Sequence, residues 1–391
     1  MSWPLVKLGD VAPAKPSKNF FSTNEEVWTL NLDQIEADTG KVLGKIMVPV
    51  SEAGTSTHGF DERHVLYSKL RPYLNKVVLP NGRGLATTEL VPLLPDPLRL
   101  DRKYLAYYLR SKSFVDWVSS QVAGAKMPRV SMQLFWQHEI PLPPLPEQKR
   151  IASILDKADA IRRKRQQTIQ LADDFLRAVF LDMFGDPVTN PKGWEERSLA
   201  SLVVGKFQNG AYYPKEEYSD DGVEMVHMSD AFYDVIQRGN LKRVLANKTD
   251  VEKYSLTHED LMISRRSLNY EGAAKPSMIP NSKEPLIFES SIIRITPDKK
   301  KIDLLYLFHY LSNPTVKDHH VRKFVTGATI KGISQKNLEQ VTVLVPPLSV
   351  QRKFSSIVER QNCTKKMVSE SFEKSIETFN SLSQKAFRGE L

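Results

Sequence analysis

A single cysteine, Cys363, stands among 391 residues. That excludes an internal disulfide and any zinc site built from several cysteines, and it fits a reducing compartment. Its place in a helical pattern predicts a packed or half-exposed thiol. No segment approaches the roughly 20 apolar residues of a membrane span, and the opening MSWPLVKLGD holds no apolar run of signal-peptide length. A cytoplasmic location with no membrane partner is expected. Catalytic signatures are missing too: there is no GxGxxG after a strand, no GxxxxGK[ST] phosphate loop, no GxSxG elbow and no HExxH. The eight histidines are scattered apart from His319 and His320, and none has metal-ligand spacing with a carboxylate or cysteine. Neither a catalytic residue nor a metal or cofactor site is expected in this chain. Pro297 and Asp298, followed by three lysines, lack a suitably spaced acidic-x-Lys element and read as a turn.

What is present is mildly basic and ordinary in hydrophobicity. The formal charge is +9, from 55 Lys and Arg against 46 Asp and Glu, which suits a polyanionic partner although many soluble proteins carry such a charge. Between Pro146 and Gly185 there is no glycine or proline at all, and this stretch predicts one long helix following the proline-rich lead-in PLPPLP. A weaker copy, VPPLSVQRKF onward, occupies the C-terminal residues.

The copy extends to the whole chain. Pro95, Asp96, Asp101, Tyr104, Leu105, Tyr108 and Leu109 recur as Pro297, Asp298, Asp303, Tyr306, Leu307, Tyr310 and Leu311, a constant shift of 202 (297 − 95). From Val122 to Gln148 against Val325 to Gln351 the shift is 203 (325 − 122), and 9 of the 27 positions are identical. This marks an internal duplication. The blocks from Val27 to about Gly84 and from Gly222 to about Lys283 barely match each other, so the frame is kept while the middle varies. The expected organisation is 1–144, a first globular domain; 145–186, a long helix; 187–347, a second globular domain; and 348–391, a second long helix.

In the first helix Ile154, Ile161, Thr168 and Phe175 recur every seven residues, flanked by Ile151, Ala158, Arg165, Ala172 and Val179 and by Leu155, Ile169 and Leu176. The second carries Phe354, Ile357, Val358, Phe372 and Phe379 in comparable registers, with Gln361 and Thr364 as polar interruptions. Three apolar positions in seven make a stripe wide enough for more than one neighbour. The candidate helix–helix and partner-docking residues are therefore Ile151, Ile154, Leu155, Ile161, Phe175, Leu176, Phe354, Ile357, Val358, Phe372 and Phe379. The simplest packing pairs the two helices, antiparallel if the halves are related by a pseudo-twofold axis.

Cations interleave with polar and aromatic residues in the variable blocks: Arg63, Lys69, Arg71, Lys76 and Arg83 in the first, Arg243, Arg265, Arg266 and Lys275 in the second. A second cluster, Lys126 and Arg129 in one half and Lys331 in the other, sits in the glycine loops before each proline joint. Lys and Arg neutralise phosphates, and Arg also reads guanine. For any one of them, a solvated surface is the plainer reading. The run from Arg162 to Arg165 reads equally as a solvated face or a partner contact.

PLPPLPEQKRIASILDKAD, the terminal QKAFRGEL, the doubled half-chain and LRPYLNKV together resemble the specificity (S) subunit of type I restriction-modification systems. The resemblance implies an α+β fold of two mixed α/β target-recognition domains, each followed by a long helix, with the helices packed as an antiparallel coiled coil. It further implies that each domain reads one half of a bipartite double-stranded DNA target. The helices would set the spacing and dock two methyltransferase subunits and the restriction (motor) subunits. S-adenosylmethionine, ATP and Mg are then expected on those partners. The second joint, PPLSVQRKF, departs from the first while keeping its prolines and Gln351. The rival expectation is a duplicated coiled-coil scaffold that binds protein and not DNA sequence.

Overall fold

The structure, a computed structural model, describes residues 3–18, 21–22, 25–54, 56–123 and 126–391. Gly124 and Ala125, two of the duplicated identities, lie outside the described residues. Two compact units form, Met1–Ile169 with Met367–Leu391 and Gln170–Lys366. Each contains strands, short helices and a share of both long helices, Leu145–Phe184 and Leu348–Arg388. The long helices thus belong to both units and do not stand as separate segments.

The ends of these helices follow from backbone chemistry. Pro144 and Pro146 flank the start of the first helix, where a missing N–H costs no intrahelical bond. Gly185, at φ +79°, ends it, and Gly389, at φ +75°, follows the second, both in the left-handed conformation that glycine adopts without penalty. A Cβ at Gly185 would also lie 2.7 Å from the ring of Pro191.

In the first unit, Ile46–Pro49, Glu26–Leu30, Gly84–Thr87 and Thr57–Phe60 form a four-stranded sheet in that order. Its central pair, Glu26–Leu30 with Gly84–Thr87, is parallel. Val77–Val78, Val65–Ser68 and Leu90–Leu93 form an antiparallel sheet. Val65–Ser68 and Leu90–Leu93 are buried at every residue, as a strand packed on both faces requires. In the second unit, the four-stranded sheet runs Gln208–Asn209, Ile292–Ile295, Leu261–Ser264, Pro276–Met278. A three-stranded sheet joins Arg243–Val244, Tyr218–Val226 and Leu286–Phe288, the last two in parallel. The architecture is α+β in both units.

The repeated residues build the frame. Asp101 caps the helix Arg102–Leu109 by accepting from the N–H groups of Lys103 and Tyr104, and Asp303 caps Leu304–Ser312 by accepting from Leu305 and Tyr306, satisfying donors left free at a helix start. Fully buried Gln148 accepts from the Asp101 N–H at 2.7 Å and donates to the carbonyls of Arg99 and Pro143. Gln351 repeats this with the Asp303 N–H and the Pro346 carbonyl. Tyr104 donates to the Pro141 carbonyl, and Tyr306 to that of Leu344, each at 2.8 Å. Leu5–Lys7 pairs with Glu139–Pro141, and Glu195–Ser198 with Thr342–Val345. Each unit is closed by a strand pair and hydrogen-bonded to the start of its long helix.

Within the first unit the two helix segments run antiparallel. Arg150 donates to the Leu391 carbonyl, Arg162 lies over the Phe379 ring, and Arg165 donates to the Ser371 carbonyl. Within the second, Asp173 meets Lys365, and Phe180 and Phe184 pack on Phe354, again in opposite order. The seam differs from the expected one. Ile151, Leu155, Ala172, Leu176 and Phe180 are buried, whereas Ile161 and Phe175 are about half exposed and Ile154 is intermediate. The seam therefore follows the flanking registers, Ile151 with Ala172 and Leu155 with Leu176, and the register of Ile154 lies beside it along the whole helix. On the second helix Phe354, Val358 and Phe379 are buried, and Ile357 and Phe372 are intermediate. Thr168 and Thr364 are exposed and bond to their own helix. The buried polar interruptions are instead Asp159, paired with Arg162 and Arg163, on the first helix and Ser355, Ser375 and Ser383 on the second. Arg162, Arg163 and Arg165 are thus engaged within the unit, and Cys363 is exposed rather than packed.

Candidate nucleic-acid interface

The two cation clusters of each half are distant in sequence, yet backbone pairing joins them. In the first unit the Val130 N–H donates to the Lys69 carbonyl at 3.1 Å and the Arg71 N–H to the Pro128 carbonyl at 2.8 Å, with Leu70 bridged to Arg129. In the second, Arg266–Ser267 pairs with Lys331–Gly332, and the Ile333 N–H donates to the Arg265 carbonyl at 3.0 Å. The equivalence extends to a third segment: the Lys69 N–H donates to the Glu89 carbonyl, and the Arg265 N–H to that of Ser291. Both copies therefore build one ledge of extended backbone from the variable block and the loop before the joint.

The side chains divide into two groups. The side chains of Lys69, Arg71, Lys126, Arg265 and Arg266 have no hydrogen bond or ion pair to another described residue. Arg71, Lys126 and Arg266 are exposed, while Lys69 and Arg265 are half-buried. Arg71 is held at φ +49°, and with Asn75 at φ +50° it brackets the turn Pro72–Leu74, a conformation sparsely populated by side-chain-bearing residues. Tyr73 in that turn is half exposed, and Leu268 on the corresponding stretch of the second unit is largely exposed.

The remaining candidates are engaged. Arg63 chelates Asp61, and Lys76 donates to the Leu32 carbonyl at 2.6 Å. Arg83 bonds Glu25, and Arg243 bonds Glu284 and the Gly222 carbonyl. Lys275 bonds the Phe232 carbonyl and pairs with Asp234, while Lys331 donates to the carbonyls of Gly327 and Ala328. These six stabilise loops, with part of their donor capacity committed within the chain.

Arg129 chelates a carboxylate as Arg63 does, but on the ledge itself. Its Nε and Nη2 both donate to the Glu89 carboxylate, at 3.2 and 2.8 Å, and the guanidinium holds Glu89 below the usual carboxylate range. Nη1 has no partner among the described residues. Glu89 was not singled out in the sequence, although the registration offered a signal: at a shift of 202 its counterpart is Ser291, and Arg129 corresponds to Gly332. Among the described residues no group of three or more His, Cys, Asp or Glu side chains could hold a metal ion, and no helix is long and apolar enough to cross a membrane.

Comparison with known proteins bears on this arrangement. The family model for the type I restriction modification DNA specificity domain matches twice, over residues 2–171 and 191–363. The StySPI specificity subunit of Salmonella potsdam is 26% identical over 306 residues, covering 74% of this chain and 65% of that protein. The EcoKI specificity subunit of Escherichia coli strain K12 is 23% identical over 304 residues, with the same coverage. The chain thus spans just under two thirds of the length of these relatives. Among solved structures, a chain from work on complex assembly and conformational transition of the type I R-M system has a TM-score of 0.59 at 18% identity, covering 100% of this chain and 98% of that one. The type I restriction-modification S subunit from M. genitalium has a TM-score of 0.57 at 14% identity, covering 98% and 96%; these two likenesses speak for the fold. With both halves matched by one model and folded on one frame, the chain belongs to the family of type I restriction modification DNA specificity domains.

Proposed function

We propose that this chain is the DNA-reading subunit of a type I restriction-modification complex, each unit reading one half of a split target. The observation that carries the reading is the ledge built twice, in which backbone pairing presents cations with no hydrogen bond or ion pair to another described residue: Arg71 and Lys126 in one unit, with Lys69 beside Glu89, and Arg265 and Arg266 in the other. Free cations on an ordered backbone suit phosphates, and arginine also suits base edges. The long helices, 40 and 41 residues, are about 60 Å each at 1.5 Å per residue, against roughly 34 Å for a turn of duplex. They fix the gap between the half-sites. The half-exposed apolar side chains on the first helix, Ile161 in one unit and Leu171 and Phe175 in the other, favour docking of methyltransferase subunits. Those subunits, with the restriction subunits, supply the S-adenosylmethionine and ATP chemistry in the cytoplasm, and this chain performs none.

Mapping adenine methylation across the genome of a host that expresses the chain with its methyltransferase tests the proposal. A bipartite motif with an unread gap of fixed length is expected, and one heptad inserted into each long helix should change that gap. A contiguous motif, or no motif, would refute the reading.

A further inference from the structure

We infer that Arg129, oriented by Glu89, reads a guanine in the half-site contacted by the first unit. This rests on the proposed reading of DNA and assigns it one base and one side chain. A guanidinium has five N–H donors in a rigid plane. Glu89 occupies the edge made by Nε and Nη2. The remaining edge, Nη1 with the second N–H of Nη2, offers two parallel donors that match the O6 and N7 acceptors of guanine in the major groove.

Charge separates this role from phosphate binding. Glu89 neutralises Arg129 and, being itself partly exposed, would repel an incoming phosphate, so the pair is a donor edge with little net charge. That suits a neutral base and serves a polyanion poorly. Lys126, a lysine with no such carboxylate partner among the described residues, is a phosphate contact of the same ledge. Position is fixed as well, because the Arg129 backbone is bridged to Leu70 and paired with Ala123, and a reading group needs a rigid support. The second unit has Ser291 and Gly332 at the corresponding places, so the two half-sites are read by different chemistry.

The test is target selection by the complex of this chain with its methyltransferase, from duplexes randomised in both half-sites. With Arg129→Ala, preference for guanine at one position of one half-site should fall about tenfold to a hundredfold. The other positions and the other half-site should be unchanged. Arg129→Lys, which keeps the charge and loses the fork, should do the same without the risk of a collapsed ledge. Glu89→Gln acts through Arg129 and should weaken the same guanine preference while raising affinity for non-target duplex, since a carboxylate that repels phosphate is removed; a merely structural role would lower binding to every sequence alike. If Arg129→Ala weakens all sequences equally and reduces the salt slope by about one, Arg129 is a phosphate contact and the inference fails, though the split-target reading stands. If the unmodified complex selects no bipartite sequence, the reading and the inference fall together.

Discussion

The two units share a frame and differ at the surface they present. In both, a capping aspartate, a buried glutamine and a tyrosine hold the proline joint against the helix behind it: Asp101, Gln148 and Tyr104 in one, Asp303, Gln351 and Tyr306 in the other. In both, the variable block pairs with the loop before the joint. Yet one ledge carries an arginine locked to a carboxylate, and the other has Gly332 and Ser291 there with Arg265 and Arg266 free. A duplicated protein under this constraint can change what it contacts only where no frame hydrogen bond is at stake. The surface varies because the frame does not depend on it.

The frame is most severely broken in its aromatic core. Phe354 is fully buried among Phe180, Phe184 and His309, so Phe354→Ala should cost about 3–5 kcal/mol. Hydrogen exchange followed by mass spectrometry should locate the loss in the second unit. Phe379→Ala should place a smaller loss in the first, since Phe379 retains slight exposure.

The glutamines offer a finer contrast. Gln148→Ala removes the partner of three backbone groups, one bond buried and two partly buried, whereas Gln351→Ala removes the partner of two, one buried and one partly buried. An orphaned buried group costs about 1–3 kcal/mol, less where water reaches it. Denaturant unfolding should therefore show the first substitution to be the more damaging by about 1 kcal/mol; equal losses would mean that the joints are not held as described.

Smaller again is the pH dependence. Burial pushes His138 in the first unit and His309 in the second down from 6.5 to about 4. The unfolded chain takes up these protons as pH falls below about 6.5 and the folded chain only near 4, so the unfolded state binds more protons between those values. Stability should be full above about pH 6.5 and decline as pH falls toward 4. His138→Gln should flatten the decline in the first unit only, and His309→Gln in the second only. The least effect is expected from Arg63→Ala, whose pair with Asp61 is largely exposed on the arginine side; the denaturant midpoint should barely move.

Much of this organisation was legible in the sequence. The duplication follows from registration, and both long helices from the glycine- and proline-free stretch between Pro146 and Gly185 and its copy; the α+β fold was what the resemblance implied. The candidate stripe was read correctly as apolar but not divided: Ile151, Leu155, Leu176, Phe354, Val358 and Phe379 are buried, while Ile161 and Phe175, in the adjoining register, are half exposed. Of the site, the residue types could be read but not their availability. Arg71 and Lys76 look alike in a string, and only the fold directs Lys76 to the Leu32 carbonyl while leaving Arg71 free. The joining of residues 69–71 to 128–130 is non-local backbone pairing, for which no periodicity gives a signal, and Glu89 enters only through that pairing.

The most direct test of one unit for one half-site is the double substitution Lys69→Ala with Arg71→Ala, assayed by methylation of duplexes randomised in both halves. Weakened selection in one half, with the other half and the gap unchanged, is the result expected. Equal loss of discrimination in both halves would contradict it.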